Sequence, residues 1–124
     1  MGHVRVRIKL ANPARVRDVV EVDDALVDTG ATFTTLPRPI ADRLGLEVFD
    51  RHRTRTAAGP IEVDVSSAFL EYDGRRTVTP VWISDTCPGV LIGVFTLEAL
   101  GLAVDPASGQ LTDSEFLLLL VSLA

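Results

Sequence analysis

The chain has 124 residues, 47% of them apolar, and a formal net charge of -5. That length suits one ordinary domain, and the composition excludes a disordered chain. The acidic balance argues against nucleic acid or an anionic membrane as partner, because phosphate binding needs a surplus of Lys and Arg; Arg5, Arg7, Lys9, Arg15 and Arg17 read as the solvated face of a strand and its loop.

Val4, Val6, Ile8 and Leu10 alternate with Arg5, Arg7 and Lys9, the pattern of a half-buried strand, and Asn12-Pro13 ends it. A second apolar run, Val19 to Val27, leads into Asp28-Thr29-Gly30, and a third run covers Thr32 to Leu36. Pro37 and Pro39 open a short helix over Ile40 to Leu44, with Gly45 placed for a left-handed cap. Arg51 to Ala57 and Ile61 to Val65 form a hairpin around a turn at Ala58-Gly59-Pro60. Asp73-Gly74 turns a second hairpin between Ala68–Tyr72 and Arg76–Ile83. Val90 to Gly93 is a short apolar strand, and Phe95 to Leu100 a brief helix stopped by Gly101. Leu102–Val104 and Gln110–Thr112 flank a last turn. Many short strands with two small helices predict an all-β, closed-barrel architecture.

Cys87 is the only cysteine, so no intrachain disulfide forms, and a cytoplasmic location is expected. His3 and His52 show no spacing that would make either a base for Cys87, which reads as passive. No metal and no other cofactor is expected. Met1 to Arg5 lacks the apolar stretch of a secretory signal. Phe116 to Ala124 falls short of the roughly 20 residues a spanning helix needs, so no membrane partner is expected.

The chemistry centres on Leu26-Val27-Asp28-Thr29-Gly30-Ala31. An Asp ending an apolar strand can simply begin a turn, with Gly30 supplying unusual backbone angles. The surroundings point further. The segment resembles the apolar-apolar-Asp-Thr-Gly-Ala signature of retropepsin-like aspartic peptidases. A Gly-bearing hairpin at Arg53 to Val65 follows where that family carries its flap, and then Leu91-Ile92-Gly93 with a short helix. Leu36-Pro37 with Arg43-Leu44-Gly45-Leu46, and Leu97-Glu98-Ala99-Leu100-Gly101-Leu102 before Val104-Asp105-Pro106, resemble bacterial and archaeal members. The resemblance spans residues 4 to 112.

It implies a retropepsin-like closed barrel and peptide-bond hydrolysis by two carboxylates sharing one proton. Like charges that close cannot both ionise, so the pair divides into an acid and a base. Only one Asp-Thr-Gly is present, so the resemblance implies a twofold homodimer in which each copy supplies Asp28. It also implies that Thr29 hydrogen-bonds across the axis and that the Gly30 carbonyl accepts a substrate amide. Ala31, Val90 and Ile92 would adjoin a peptide or protein substrate, and Ala58 and Gly59 would form the flap tip. Retroviral members often carry an acidic and a basic residue at the positions of Thr32 and Val94 here, so the ion pair between them is absent.

The expected organisation is a peptidase domain over residues 1–112 and an apolar tail over 113–124 packed at the dimer interface. Thr112-x-x-Glu115 resembles a capping box, which suggests a short helix from about Asp113, with a strand as the alternative. A non-catalytic dimeric peptide-binding module of the same fold is the competing function.

Overall fold

The computed structural model describes residues 4–114. In chain order the elements are β1 (Val4–Ala11), β2 (Val20–Val27), β3 (Thr34–Pro37), α1 (Arg38–Leu44), β4 (Asp50–Thr56), β5 (Gly59–Tyr72), β6 (Arg75–Ser84), β7 (Leu91–Ile92), α2 (Val94–Ala99), β8 (Leu102–Val104) and β9 (Leu111–Asp113).

Strand order β1-β2-β7-β3-β6-β5 closes on itself through a β5–β1 pairing, giving a barrel, and β4 attaches outside it to β5. The predicted alternation of β1 holds: Val6, Ile8 and Leu10 point inward, with Leu10 fully buried. They meet Val22, Ala25, Val27, Leu36, Ala68, Leu70 and Val81 in one core. The outward basic residues of β1 are partly neutralised, since Arg7 lies 3.1 Å from Asp23 and Lys9 4.0 Å from Glu71. Exposed pairs of this kind contribute little stability.

Two turns form as their residues dictate. Asp73 and Gly74 both take positive φ (50° and 79°), as a two-residue hairpin requires. Gly45 takes φ 64°, so the Leu46 N–H reaches back to the Ala41 carbonyl and closes α1. Asn12, read only as a strand breaker, also donates from Nδ2 to the Leu44 and Gly45 carbonyls at 3.2 and 3.0 Å.

Three expectations need correction. The runs 61–65 and 68–72 are one strand, β5, because Ser66 points inward and donates to the Glu47 carbonyl, so a buried hydroxyl does not interrupt the strand. The β4–β5 turn is Ala57-Ala58, with Thr56 and Gly59 paired and Pro60 opposite Arg55. The Thr56 hydroxyl fixes that turn, donating to the Gly59 carbonyl at 2.9 Å and accepting from the Ala58 N–H at 3.2 Å. Asp113 ends β9 rather than starting a helix, because Leu102 pairs with it across the hairpin and its carboxylate meets Arg75. The rest of the tail, with its expected helix, lies outside the described residues apart from Ser114.

β5 has a further consequence for the site. One edge pairs with β6 only from Asp64 onward, while Gly59 to Val63 pair with β4 alone. Residues 52–56 and 59–63 therefore form a two-stranded ribbon projecting beyond the barrel.

Candidate active site

Asp28 stands where β2 leaves the sheet beside the parallel strand β7. The Leu26 N–H bonds the Val90 carbonyl at 2.9 Å, and the Asp28 N–H bonds the Ile92 carbonyl at 3.0 Å, so the strand end is held to its last residue. The chain then folds back on Asp28. Its Oδ1 accepts the Gly30 N–H at 2.9 Å, and its carbonyl accepts the Ala31 N–H at 3.1 Å. A Cβ on Gly30 would lie 3.2 Å from Asp28 Oδ1, so glycine keeps the carboxylate uncrowded.

The loop rests on α2. Helix starts leave N–H groups without partners; here Val94 N–H bonds the Ala31 carbonyl and Phe95 N–H the Thr32 carbonyl, each at 2.9 Å. This close approach demands Gly93, because a Cβ there would sit 2.6–2.7 Å from backbone atoms of Phe33 and Thr32.

Beneath lie three threonines with no exposed surface, Thr34, Thr79 and Thr96. Thr34 Oγ1 accepts the Gly93 N–H at 3.2 Å and meets Thr96 Oγ1 at 2.6 Å, and Thr96 meets Thr79 at 2.9 Å. The sequence shows these residues only as β-formers; their burial together is a tertiary result.

Asp28, Gly30 and Ala31 open onto a cleft of about 490 Å³. One wall is the ribbon, through Thr54, Arg55, Thr56, Ile61 and Val63. The end of β6 and the segment after it also line the space, through Ser84, Thr86, Cys87 and Pro88, together with Phe33, Trp82 and Leu91. Phe33 and Trp82 pack with ring centroids 5.1 Å apart, and His52 meets Trp82 edge-on at 6.4 Å.

The remaining expected site residues fall elsewhere. Thr29 is exposed and does not line the cleft. Ala58 and Gly59 are at the ribbon tip, outside the lining. Val90 and Ile92 are core residues, 3% and 2% exposed, so their expected place beside a substrate is corrected. Strand parity explains this: with Ile92 inward, Leu91 is the residue of β7 that faces the cleft. The same parity, with Val81 and Ile83 inward, could have identified Trp82 from sequence. Cys87 lies in the cleft wall with its thiol donating to the Gly89 carbonyl at 2.7 Å, and burial pushes that thiol up, which keeps it protonated.

A charged cluster sits at the ribbon's root. Asp64, 6% exposed, accepts from Arg38 Nη1 at 2.7 Å and from Arg51 Nε at 3.0 Å. Arg38 also donates to both oxygens of Asp85, at 2.9 and 3.4 Å. The Arg38 guanidinium, and then Arg51, hold the Asp64 carboxyl below the usual range; Arg38 does the same for Asp85. Among the described residues no cluster of three or more His, Cys, Asp or Glu is arranged to hold a metal, and no helix is long and apolar enough to cross a membrane.

The family model described as aspartyl protease matches residues 12–96. No curated protein matches the chain. Among solved structures, an EIAV protease bound to an inhibitor is similar with TM-score 0.60 and 18% identity, over 81% of this chain and 89% of that one. A retropepsin-like aspartic protease from Rickettsia conorii gives 0.57 and 19%, over 84% and 77%. The simian foamy virus protease gives 0.56 and 17%, over 76% and 91%. These likenesses show the fold, and the match over residues 12–96 shows the lineage: the chain belongs to the aspartyl protease family and has the retropepsin-like barrel.

Proposed function

We propose that this chain is one subunit of a symmetric aspartic endopeptidase whose active site forms when two copies bring their Asp28 residues together. The observation that carries the reading is Asp28 itself: one carboxylate, ending an apolar strand, pinned by the backbone and open to a peptide-sized cleft. Amide hydrolysis by carboxylates needs two, and 124 residues hold one such motif. A twofold axis beside the loop supplies the second.

In the proposed reaction the ionised Asp28 takes a proton from a water as the water oxygen attacks the scissile carbonyl carbon. The protonated Asp28 of the other copy gives its proton to the carbonyl oxygen. The resulting tetrahedral gem-diol collapses with proton transfer to the amide nitrogen, breaking the C–N bond and leaving the dyad with one proton. Thr29, exposed beside Asp28, would bond across the axis, and the Gly30 carbonyl would accept a substrate amide. Ala31 would adjoin the peptide, and the ribbon tip with Ala58 and Gly59 would close over it and exclude water. Phe33, Trp82, Ile61, Val63 and Leu91 give the cleft an apolar and aromatic character, which favours apolar substrate side chains. Residues 1–112 would form the peptidase domain, and the apolar tail would pack at the subunit interface.

The test is Asp28→Asn, assayed by cleavage of a diverse peptide mixture and by sedimentation. Loss of cleavage with the dimer kept is expected. Cleavage at the wild-type rate would remove Asp28 from the mechanism, and binding without cleavage by the wild-type dimer would identify a peptide-binding module instead.

A further inference from the structure

We propose that Arg38 is a positioning residue that ties the root of the β4–β5 ribbon to the segment after β6, which also lines the cleft, and so limits how far the ribbon opens. Its kinetic consequence rests on the peptidase reading, whereas its mechanical consequence does not.

The argument begins with where the ribbon loses support. Asp64 pairs with Arg51 on one side and Ile83 on the other, and it is the last β5 residue that β6 supports. Beyond it, from His52↔Val63 to Thr56↔Gly59, the two strands have only each other. The rung at Asp64 is therefore the hinge of any ribbon motion.

At that rung the core-facing side of β5 carries a carboxylate instead of a methyl-bearing side chain. Burying it requires compensation, and two arginines provide it. Arg51 belongs to the ribbon's own strand β4 and would move with it. Arg38 does not: it is the first residue of α1, directly after β3, which is paired to both β6 and β7 in the barrel. Arg38 is thus the link from the hinge to the rigid frame.

The same guanidinium grips Asp85 with two nitrogens. Asp85 begins the segment carrying Thr86, Cys87 and Pro88, which line the same cleft as the ribbon. One planar side chain therefore joins the ribbon's root to that segment, a task suited to the fixed fork of arginine. The Asp28 loop is held separately, by Gly93, Thr34 and α2. Loss of Arg38 should accordingly loosen closure over substrate while leaving the carboxylate's own support in place.

The experiment uses the full chain with Arg38→Met, Arg38→Lys and Asp85→Asn. Amide hydrogen exchange is read for residues 52–63 against β1 and β2, together with KM and kcat on a cleaved peptide. Arg38→Met should speed ribbon exchange about tenfold, the scale of one lost charge-assisted hydrogen bond. Exchange in β1 and β2 should stay unchanged, while KM rises by a similar factor and kcat stays within about twofold. Arg38→Lys, which keeps the charge but not the fork, should fall between. If Arg38→Met does not fold, Asp85→Asn still decides the matter, because the Asp85 side chain is 69% exposed and the change takes the charge and one acceptor oxygen from the link to the segment after β6 alone. Faster ribbon exchange in Asp85→Asn supports the proposal. Unchanged ribbon exchange in the folded variants would overturn it whether or not peptides are cleaved, and a fall in kcat at constant KM would overturn the closure role. Absence of cleavage by the wild type would refute the peptidase reading and leave the exchange result to decide on Arg38.

Discussion

Gly93→Ala is the most demanding single-methyl test of how the Asp28 loop is held. The added Cβ would stand 2.6 Å from the Phe33 carbonyl carbon and 2.7 Å from the Phe33 and Thr32 carbonyl oxygens. All three are backbone atoms, so no rotamer change relieves the clash. The loop and the start of α2 must move apart, which strains the bonds from Val94 to Ala31, from Phe95 to Thr32 and from Gly93 to Thr34. Overpacking costs about 1–3 kcal/mol and each weakened hydrogen bond about 1 kcal/mol. A loss of roughly 4–6 kcal/mol is expected. With a urea m-value of about 1.5 kcal/mol/M, the unfolding midpoint should fall by roughly 3–4 M. Gly89→Ala is the control: nothing lies within 4 Å of its Cβ position, so it should be neutral or slightly stabilising. Urea titration followed by Trp82 fluorescence measures both. If Gly93→Ala matches the wild-type midpoint within about 0.5 M, the proposed packing of loop against α2 is wrong.

Thr96→Val should cost about 2–3 kcal/mol, because it strips a partner from two buried hydroxyls, whereas Thr96→Ser should cost less; chemical denaturation compares them. Ile92→Ala should destabilise by about 2–5 kcal/mol through the cavity it leaves, while Leu91→Ala should spare stability and alter peptide preference; equal stability losses would contradict the facing inferred for β7. Asp64 and Asp85 have carboxyls lowered in the folded state, so their contribution is fully present above the unfolded value of about 3.9 and is lost as pH falls through the folded values. Asp64→Asn should therefore shrink the gap between urea midpoints at pH 6 and pH 3, and an undiminished gap would count against the cluster as a source of acid lability.

Much of the fold is visible in local pattern. The alternation in β1, the paired positive-φ residues Asp73 and Gly74, and Gly45 after a short amphipathic helix each specify their element without outside help. Asp28-Thr29-Gly30 is equally legible, as is its proximity to the Leu91-Ile92-Gly93 segment through the family resemblance. What was hidden depends on partners far along the chain. Asp64 reads as one wet residue of an alternating strand, and Arg38, twenty-six positions away, together with Arg51 makes its burial tolerable. The runs 61–65 and 68–72 read as separate because the sequence does not show that the Glu47 carbonyl accepts the Ser66 hydroxyl between them. The misplacement of Val90 and Ile92 had a different cause. Both flank Leu91, and a two-residue strand gives too short an alternation to tell which parity is inward.

The most direct test of a shared Asp28 dyad is subunit mixing. Wild-type and Asp28→Asn chains are combined in varying ratio at fixed total concentration, allowed to exchange, and assayed for peptide cleavage. If each site needs a carboxylate from both copies, mixed dimers are inactive and the rate should fall as the square of the wild-type fraction. A rate that falls in simple proportion to the wild-type fraction would mean that each chain acts with its own Asp28 alone, and would contradict a catalytic site shared between two subunits.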